Sequence, residues 1–480
     1  MKQQVDIERY LNDFRSEIGQ LKATVNDLTE ENARLNRRVE ALTVENAGLR
    51  KRLSKYEDSA PPKNSGNSSV PPSKERMGEE IKRRTKSLRD KSDRNSGGQP
   101  GHKGVTRLLS ENPDVTETFQ PNYCRECGRD LSDIEGVEEY REECIGVRII
   151  PVTTRLRYLR KTCTCGCCNH SVEKKRKNPV YIAPDIRALV VYLNVVMCMP
   201  YNRIKTFIND FTGIDLSEGS IRNFIEEAGD KADKICERIA SELTKSAVAG
   251  ADESGVYVNG KLNWAWILQN PKMTLTWIAK GRGAKVMTEK FGEDALCNTI
   301  LTTDRHSAYF TISTAGHQIC IAHLLRNLNY LNELDTKQSW SSRLQELLRK
   351  AVHWRNENPD KSTDTGTWLQ SLDRLLNENL DKLHKEFRRL RNCLRKLRDH
   401  VFRFLENPRV PSHNNASEGG IRIIKVKQKR SGGFRSEEGA EDFMAIHSVA
   451  DTAKKNKYSC WDAMLALVKM PTDMACLYHR

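Results

Sequence analysis

The sequence predicts a multidomain α/β protein, and three observations carry that prediction. A heptad repeat opens the chain, paired-cysteine knuckles follow it, and short apolar runs ending on carboxylates recur further on. At 480 residues the chain is too long for one compact core, so several units joined by linkers are expected. The formal net charge of +15 suits a polyanionic partner, because lysines and arginines gain by displacing counterions from phosphates. No run reaches the roughly 18 apolar residues of a membrane span, and the stretch from Lys2 to Arg9 is polar and charged, unlike a secretory leader. A cytoplasmic protein with no membrane partner is expected, with its fourteen cysteines reduced.

Residues 5–56 read as a coiled coil. Leu11, Ile18, Val25, Asn32, Val39, Asn46 and Leu53 fall at heptad position a, and Phe14, Leu21, Leu28, Leu35, Leu42, Leu49 and Tyr56 at d. Ile or Val at a with Leu at d favours two parallel strands, and a buried Asn at a fixes register. Glu45 and Arg50, at g and the following e, can pair between chains. A homo-oligomer, at least a dimer, is expected through this element.

Residues 57–104 then lose all periodicity. Pro61-Pro62, Pro71-Pro72 and many Ser, Asn and Gly residues mark a flexible linker. Its basic second half, Lys74 to Arg94, is either a solvated tail or a sequence-independent phosphate contact.

Residues 105–178 hold a zinc-binding domain of zinc-ribbon type. Cys124-x-x-Cys127-Gly128 is a knuckle that presents two thiolates to one ion, and Cys165 and Cys168 repeat the spacing. One structural Zn²⁺ bound by Cys124, Cys127, Cys165 and Cys168 is expected, with Cys163, Cys167 and His170 as rival ligands.

Residues 179–244 turn helical. Arg203-Ile204-x-x-Phe207-Ile208 and Phe211 define one helix ended by Gly213, and Ser217 caps the next. The pair is like a helix-turn-helix, which serves either DNA reading or plain packing of a small helical domain.

Residues 245–332 and 408–455 carry the carboxylates. Ala247–Asp252, Val256–Val258 and Asn263–Leu268 read as strands around an Asn259-Gly260 turn, followed by a strand at Thr274–Ile278 and a helix at Ala284–Phe291. Thr299–Thr303 leads to Asp304; Gln318–Ala322 is a further strand and His323 starts a helix. That order is the order of a ribonuclease-H-like sheet, in which the first and fourth strands lie side by side and Asp252 meets Asp304. Glu418, after the polar turn Asn414-Asn415-Ala416-Ser417, supplies a third acid. Three such carboxylates form a hard site for two Mg²⁺ or Mn²⁺ ions, as in two-metal phosphoryl transfer. Glu253 faces the other side of an extended strand and stays outside the set.

The helical insertion 333–407 separates this sheet from Glu418. Leu383, Phe387, Leu390, Leu394, Leu397, Val401 and Phe404 line one face of its last part. Lys385, Arg388, Arg389, Arg391, Arg395, Lys396 and Arg398 crowd the others and repel one another unless something anionic is near. After Glu418, the block Ile421–Arg435 is basic and free of acids. Lys425, Lys427, Lys429, Arg430 and Arg435 are its candidate DNA contacts. Residues 456–480 form a C-terminal segment.

With these residues in view the chain resembles bacterial DDE transposases of the insertion-sequence 66 family. Gly97-Gly98-Gln99-Pro100-Gly101-His102-Lys103-Gly104 is similar to the family's glycine-proline signature, and Cys124, Cys127 and the later cysteines to its zinc module. Ala251-Asp252-Glu253-Ser254, Thr303-Asp304 with Ala308-Tyr309, Cys320-Ile321-Ala322-His323 with Arg326, and Asn414-Asn415-Ala416-Ser417-Glu418 resemble its further motifs. The resemblance implies a nucleoid-associated enzyme that binds the terminal inverted repeats of an insertion sequence. Asp252, Asp304 and Glu418 would hold two Mg²⁺ ions while water, and then the freed 3′-hydroxyl, attacks phosphate. Target DNA and accessory transposition proteins are the partners it implies. Gly419-Gly420 depart from the arginine that usually follows the glutamate, and paired glycines weaken a helix. The alternative is a catalytically inactive, zinc-containing DNA-binding dimer derived from such an enzyme.

Overall fold

The structure, a computed structural model, describes residues 2–53, 61, 63, 64, 67, 68, 108–147, 149–162, 165, 169–171 and 180–471. Most of the linker, the stretch Gly97–Gly104, the end of the C-terminal segment, and Cys163, Cys167 and Cys168 lie outside the described residues, as does Tyr56. In chain order the elements are α1 (Lys2–Leu53), β1 (Arg160–Thr162), β2 (Asn169–Ser171), α2 (Pro184–Val195), α3 (Tyr201–Thr212), α4 (Glu218–Thr244), β3 (Val248–Val258), β4 (Lys261–Gln269), β5 (Thr274–Ala279), α5 (Lys285–Phe291), β6 (Ile300–Thr303) and β7 (Gly316–Ile319). There follow α6 (Ile321–Leu334), α7 (Trp340–Glu357), α8 (Gly366–Leu376), α9 (Lys385–Lys396), α10 (Arg403–Glu406), α11 (Asn415–Ser431), α12 (Glu437–Lys455) and α13 (Cys460–Lys469). The chain divides into two compact units: Met1–Lys86 with Ile321–Trp354 and Gly366–Arg398, and Ser87–Cys320 with Arg355–Thr365 and Asp399–Arg480.

In the first unit, α1 is a single 52-residue helix. The heptad residues from Ile18 to Leu49 are exposed along it, Leu21 to 64%. The other helices of this unit bury Leu324, Leu328, Trp340, Leu344, Leu348, Leu372, Phe387, Leu390 and Leu394. Trp340 anchors them: its ring meets Phe387 edge-on, and its Nε1 donates to Leu375 O at 2.8 Å. The expected continuous face from Leu383 to Phe404 is broken, because α9 stops at Lys396 and a 3-10 turn spans Arg398–His400.

The second unit is built on a five-stranded mixed sheet of order β5-β4-β3-β6-β7. Strands β3, β4 and β5 are antiparallel neighbours, and β6 and β7 run parallel to β3. The β3–β4 turn has φ of 48° at Asn259 and 71° at Gly260, the two positive values that a tight hairpin of right-handed twist requires. Expected strands Ala247–Asp252 and Val256–Val258 are one strand, since pairing with β4 continues through Glu253, Ser254 and Gly255. The expected strand Gln318–Ala322 ends earlier, at Ile319.

Helix α3 ends and helix α4 begins where their sequence signals fall. Gly213 ends α3 in the left-handed region at φ 69°, and the Ser217 side chain accepts the Ser220 N–H at the start of α4. The buried faces of α2, α3 and α4 (Val191, Ile204, Ile208, Ile221, Ile225) belong to the same core as the sheet and α12. Helix α12 packs along α4 and β5. Its Ser448 and Thr452 hydroxyls accept the backbone N–H groups of Thr276 and Thr274 at 2.8 and 3.0 Å.

At the α4–α12 seam, burial and the nearby Asp230, Asp233, Glu226 and Glu441 push the Asp442 carboxyl up to about 7. A raised acid leaves stability untouched below its unfolded value near 4, lowers it as pH climbs from there to about 7, and holds the loss constant above that. Asp442→Asn should therefore melt with the wild type at pH 4. At pH 8 it should be more stable by on the order of 1 kcal/mol, discounted for solvent screening, as thermal melts at both pH values would read.

Candidate active site

Strand β3 buries Ala249, Gly250 and Ala251 and then delivers Asp252; strand β6 buries Leu301, Thr302 and Thr303 and then delivers Asp304. Their parallel register pairs Ala249 with Leu301 and Gly250 with Thr302, and two further residues bring Asp252 level with Asp304. Glu418 lies in the first turn of α11, which packs against β3 and β4. Burial pushes the Asp252 carboxyl well above the usual carboxylate range, and the charges of Glu253, Asp304 and Glu418 add to the push. So many acids acting on one carboxyl fit a hard divalent cation bound by oxygens. Asp304 Oδ1 accepts the His306 N–H at 2.8 Å, which shapes the turn behind it.

Glu253 follows Asp252 in β3, and its own carboxylate is engaged elsewhere. Its carboxylate accepts Arg282 Nε at 2.6 Å and the buried Tyr309 hydroxyl. Burial raises its carboxyl, and those two bonds work against the rise. Arg282 also stacks over Trp264, 4.9 Å from the ring centroid.

The placement of Glu418 depends on residues whose roles the sequence did not reveal. Asn414 is the N-cap of α11, yet its side chain makes no ordinary cap bond. Its Nδ2 donates instead to Ala251 O at 2.7 Å, one residue before Asp252, and its Oδ1 accepts the Ser417 hydroxyl at 2.6 Å. Gln269 Nε2 donates to Ser417 Oγ at 3.3 Å, and Lys455 Nζ donates to Gln269 Oε1 at 2.7 Å. The Asn414 N–H reaches the Cys320 thiol at 3.2 Å. This polar chain ties the start of α11 to the strand that bears Asp252. Gly250 makes the approach possible, because a Cβ there would lie within 2.7–2.8 Å of Gln269, Asn414 and Ser417. The only advance signal was a run of short polar residues before an acid.

The Gly419-Gly420 pair does not interrupt α11. The two glycines differ: a Cβ on Gly420 would come 2.4 Å from Ile267 Cδ1, whereas one on Gly419 would meet nothing within 4 Å.

The basic block after Glu418 is partly turned inward. Lys425 Nζ donates to Gly255 O, and Arg430 to Met197 O. Lys427 is corrected from its expected DNA-facing position. It is buried, its ammonium lies 5.5 Å from the Phe443 ring centroid, and desolvation lowers it to about 8. Lys429 and Arg435 are exposed.

In the cysteine module, Cys124 and Cys127 form a tight turn. Gly128 takes φ 71° and its N–H donates to Cys124 O at 2.9 Å, while the Cys124 N–H donates to Arg129 O at 2.8 Å. Backbone hydrogen bonds from Cys127 and Glu126, with a further one from the Cys127 side chain, lower the Cys124 thiol. Cys165 lies in the loop of the β1–β2 hairpin; its expected partner Cys168 is outside the described residues. A turn that favours thiolate fits Zn²⁺.

Comparison with known proteins adds three findings. Residues 179–442 match the model of the Transposase IS66 family. Residues 14–108 match a family of unknown function, DUF6444. An uncharacterised protein of Sinorhizobium fredii, y4jO, is 34% identical over 84 residues, which are 18% of this chain and 24% of that protein. The chain therefore spans about a quarter of that relative's length.

Proposed function

The chain belongs to the IS66 transposase family, whose model spans more than half of it, and from that premise we propose that it is a DDE transposase acting on the terminal inverted repeats of an insertion sequence. The observation that carries this reading is that the charges of Asp304 and Glu418 both act on buried Asp252, with the start of α11 tied to β3 by Asn414. The sheet order, three antiparallel strands followed by two parallel to the first, supports a ribonuclease-H-like core.

Two Mg²⁺ or Mn²⁺ ions held by these carboxylates would activate the attacking oxygen and stabilise the leaving one. The protein's own part would be to present the three acids from β3, β6 and α11, with the polar chain from Lys455 to Asn414 tying α11 to the sheet. Exposed Lys429 and Arg435 suit contacts to the phosphate backbone of terminal or target DNA. The exposed heptad residues of α1 support a coiled-coil homo-oligomer. No described helix is long and apolar enough to cross a membrane. Accessory transposition proteins and a nucleoid location fit the same reading.

The test is Mg²⁺-dependent end cleavage and strand transfer on the element's own terminal DNA. The inactive-derivative reading requires binding without cleavage. Gly419→Arg separates the two. A Cβ at this position would meet nothing within 4 Å, and replacing glycine in a helix gains about 1 kcal/mol. We expect a slightly raised melting temperature and cleavage within about threefold of wild type. Cleavage gained only in the variant would favour the inactive derivative.

One structural Zn²⁺ on Cys124, Cys127, Cys165 and Cys168 completes the proposal. Metal analysis of the purified protein should return one zinc per chain, and Cys124→Ser should lose it and loosen the module to proteolysis. A zinc content unchanged in Cys124→Ser would remove that residue from the ligand set.

A further inference from the structure

We propose that one face of α9, formed by Lys385, Arg388, Arg389 and Lys396, is a sequence-independent contact surface for the phosphate backbone of duplex DNA. It rests on the transposase reading for the identity of its polyanion. It does not depend on the catalytic carboxylates.

The basic residues of this helix and of the turn after it divide into two sets. Arg398 pairs with Asp373 through two 2.6 Å bonds. Arg391 donates to Glu378 O at 3.0 Å, and Arg395 to Leu376 O at 3.0 Å, so both satisfy carbonyls at and beyond the end of α8. These three arginines act within the fold.

The other four are arranged differently. At 100° per residue, Lys385, Arg388, Arg389 and Lys396 share one side of the helix, opposite buried Phe387, Leu390 and Leu394. Lys385, Arg389 and Lys396 are exposed, and Arg388 is half-buried. Glu386 is the acid within α9, and it reaches Arg389 only at 3.7 Å with that arginine side chain 82% exposed.

Three of the four also stand in the first turns, where the helix dipole disfavours cations. Neither packing nor helix stability explains placing them there; an anionic partner does. The face extends about 16 Å, a length of duplex that presents roughly ten phosphates. In the block after Glu418, by contrast, Lys425, Lys427 and Arg430 donate to backbone carbonyls of the fold.

The experiment compares three full-length proteins binding a 30-base-pair duplex of unrelated sequence across a salt series. The face variant carries Lys385→Gln, Arg388→Gln, Arg389→Gln and Lys396→Gln. The control carries Lys245→Gln, Lys280→Gln, Lys285→Gln and Lys350→Gln, each removing an exposed cation paired with an acid. The face variant should bind ~10- to 100-fold more weakly at moderate salt, with the slope of log affinity against log salt shallower by about 3. The control should keep a slope within about one of wild type. Matching melting temperatures establish that both variants are folded.

Equal slopes and affinities in the face variant and wild type would overturn the proposal, as would equal losses in face and control variants or wild type that fails to bind the duplex. If wild type cleaves its terminal DNA while the face variant binds normally, the surface is wrong and the enzyme reading stands. Loss of binding in the face variant, with no cleavage by wild type, means the reverse.

Discussion

Asp304→Asn should abolish metal-dependent cleavage, by about a thousandfold or more, while leaving DNA affinity within a few-fold of wild type. The substitution is close to isosteric, and the amide oxygen can still accept the His306 N–H that shapes the turn after β6. What disappears is one of the negative charges acting on Asp252. Divalent ions should therefore raise the melting temperature of wild type and raise that of the variant much less, because a ligand stabilises only in proportion to its binding. Cleavage assays with Mg²⁺ and Mn²⁺, run beside melts with and without the ions, would read both effects. A variant that cleaves at the wild-type rate would remove Asp304 from the mechanism.

Gly250→Val should be the most damaging single change outside the carboxylates. The new side chain would start within 2.8 Å of three polar groups, all belonging to the tie between β3, β4 and α11. Either the polar chain breaks or α11 moves outward, and both displace Glu418 relative to Asp252. Overpacking here should lower stability by about 3 kcal/mol, and misplacement by an ångström should slow cleavage ~100-fold even where the protein remains folded. Asn414→Ala is the milder companion, leaving Ala251 O without its donor at a penalty of about 1–3 kcal/mol. Chemical denaturation and single-turnover cleavage at low temperature separate the two effects. Gly250→Val with wild-type stability would show that α11 has more freedom than the close approach implies.

The sequence disclosed features that depend on local chemistry. The Asn259-Gly260 turn, the Gly213 helix end and the Ser217 cap are each set by a few neighbouring residues, and all three stand where they were expected. Parallel pairing of the Asp252 and Asp304 strands followed from the order of elements. Features that depend on distant partners were hidden. Glu253-Ser254-Gly255 read as a break in β3 because an acid and a glycine are poor strand formers. Arg282 and Tyr309, which make that acid acceptable, are remote in sequence. Lys427 read as a surface cation because nothing nearby in sequence announces Phe443 or the Met199 carbonyl. The roles of Asn414 and Gln269 were hidden for the same reason: an amide that bridges two elements looks like any polar residue until both are in place.

The hydroxyl bonds from α12 to β5 have a consequence for how copies of this protein can assemble. An outermost strand ordinarily offers unpaired rungs to any passing extended segment, and sheets grow by that route into fibrous aggregates. Here Thr274 and Thr276 already donate to side chains of a helix of the same chain. A neighbouring copy crowded alongside would find those two rungs occupied, which disfavours strand-by-strand polymerisation at this margin.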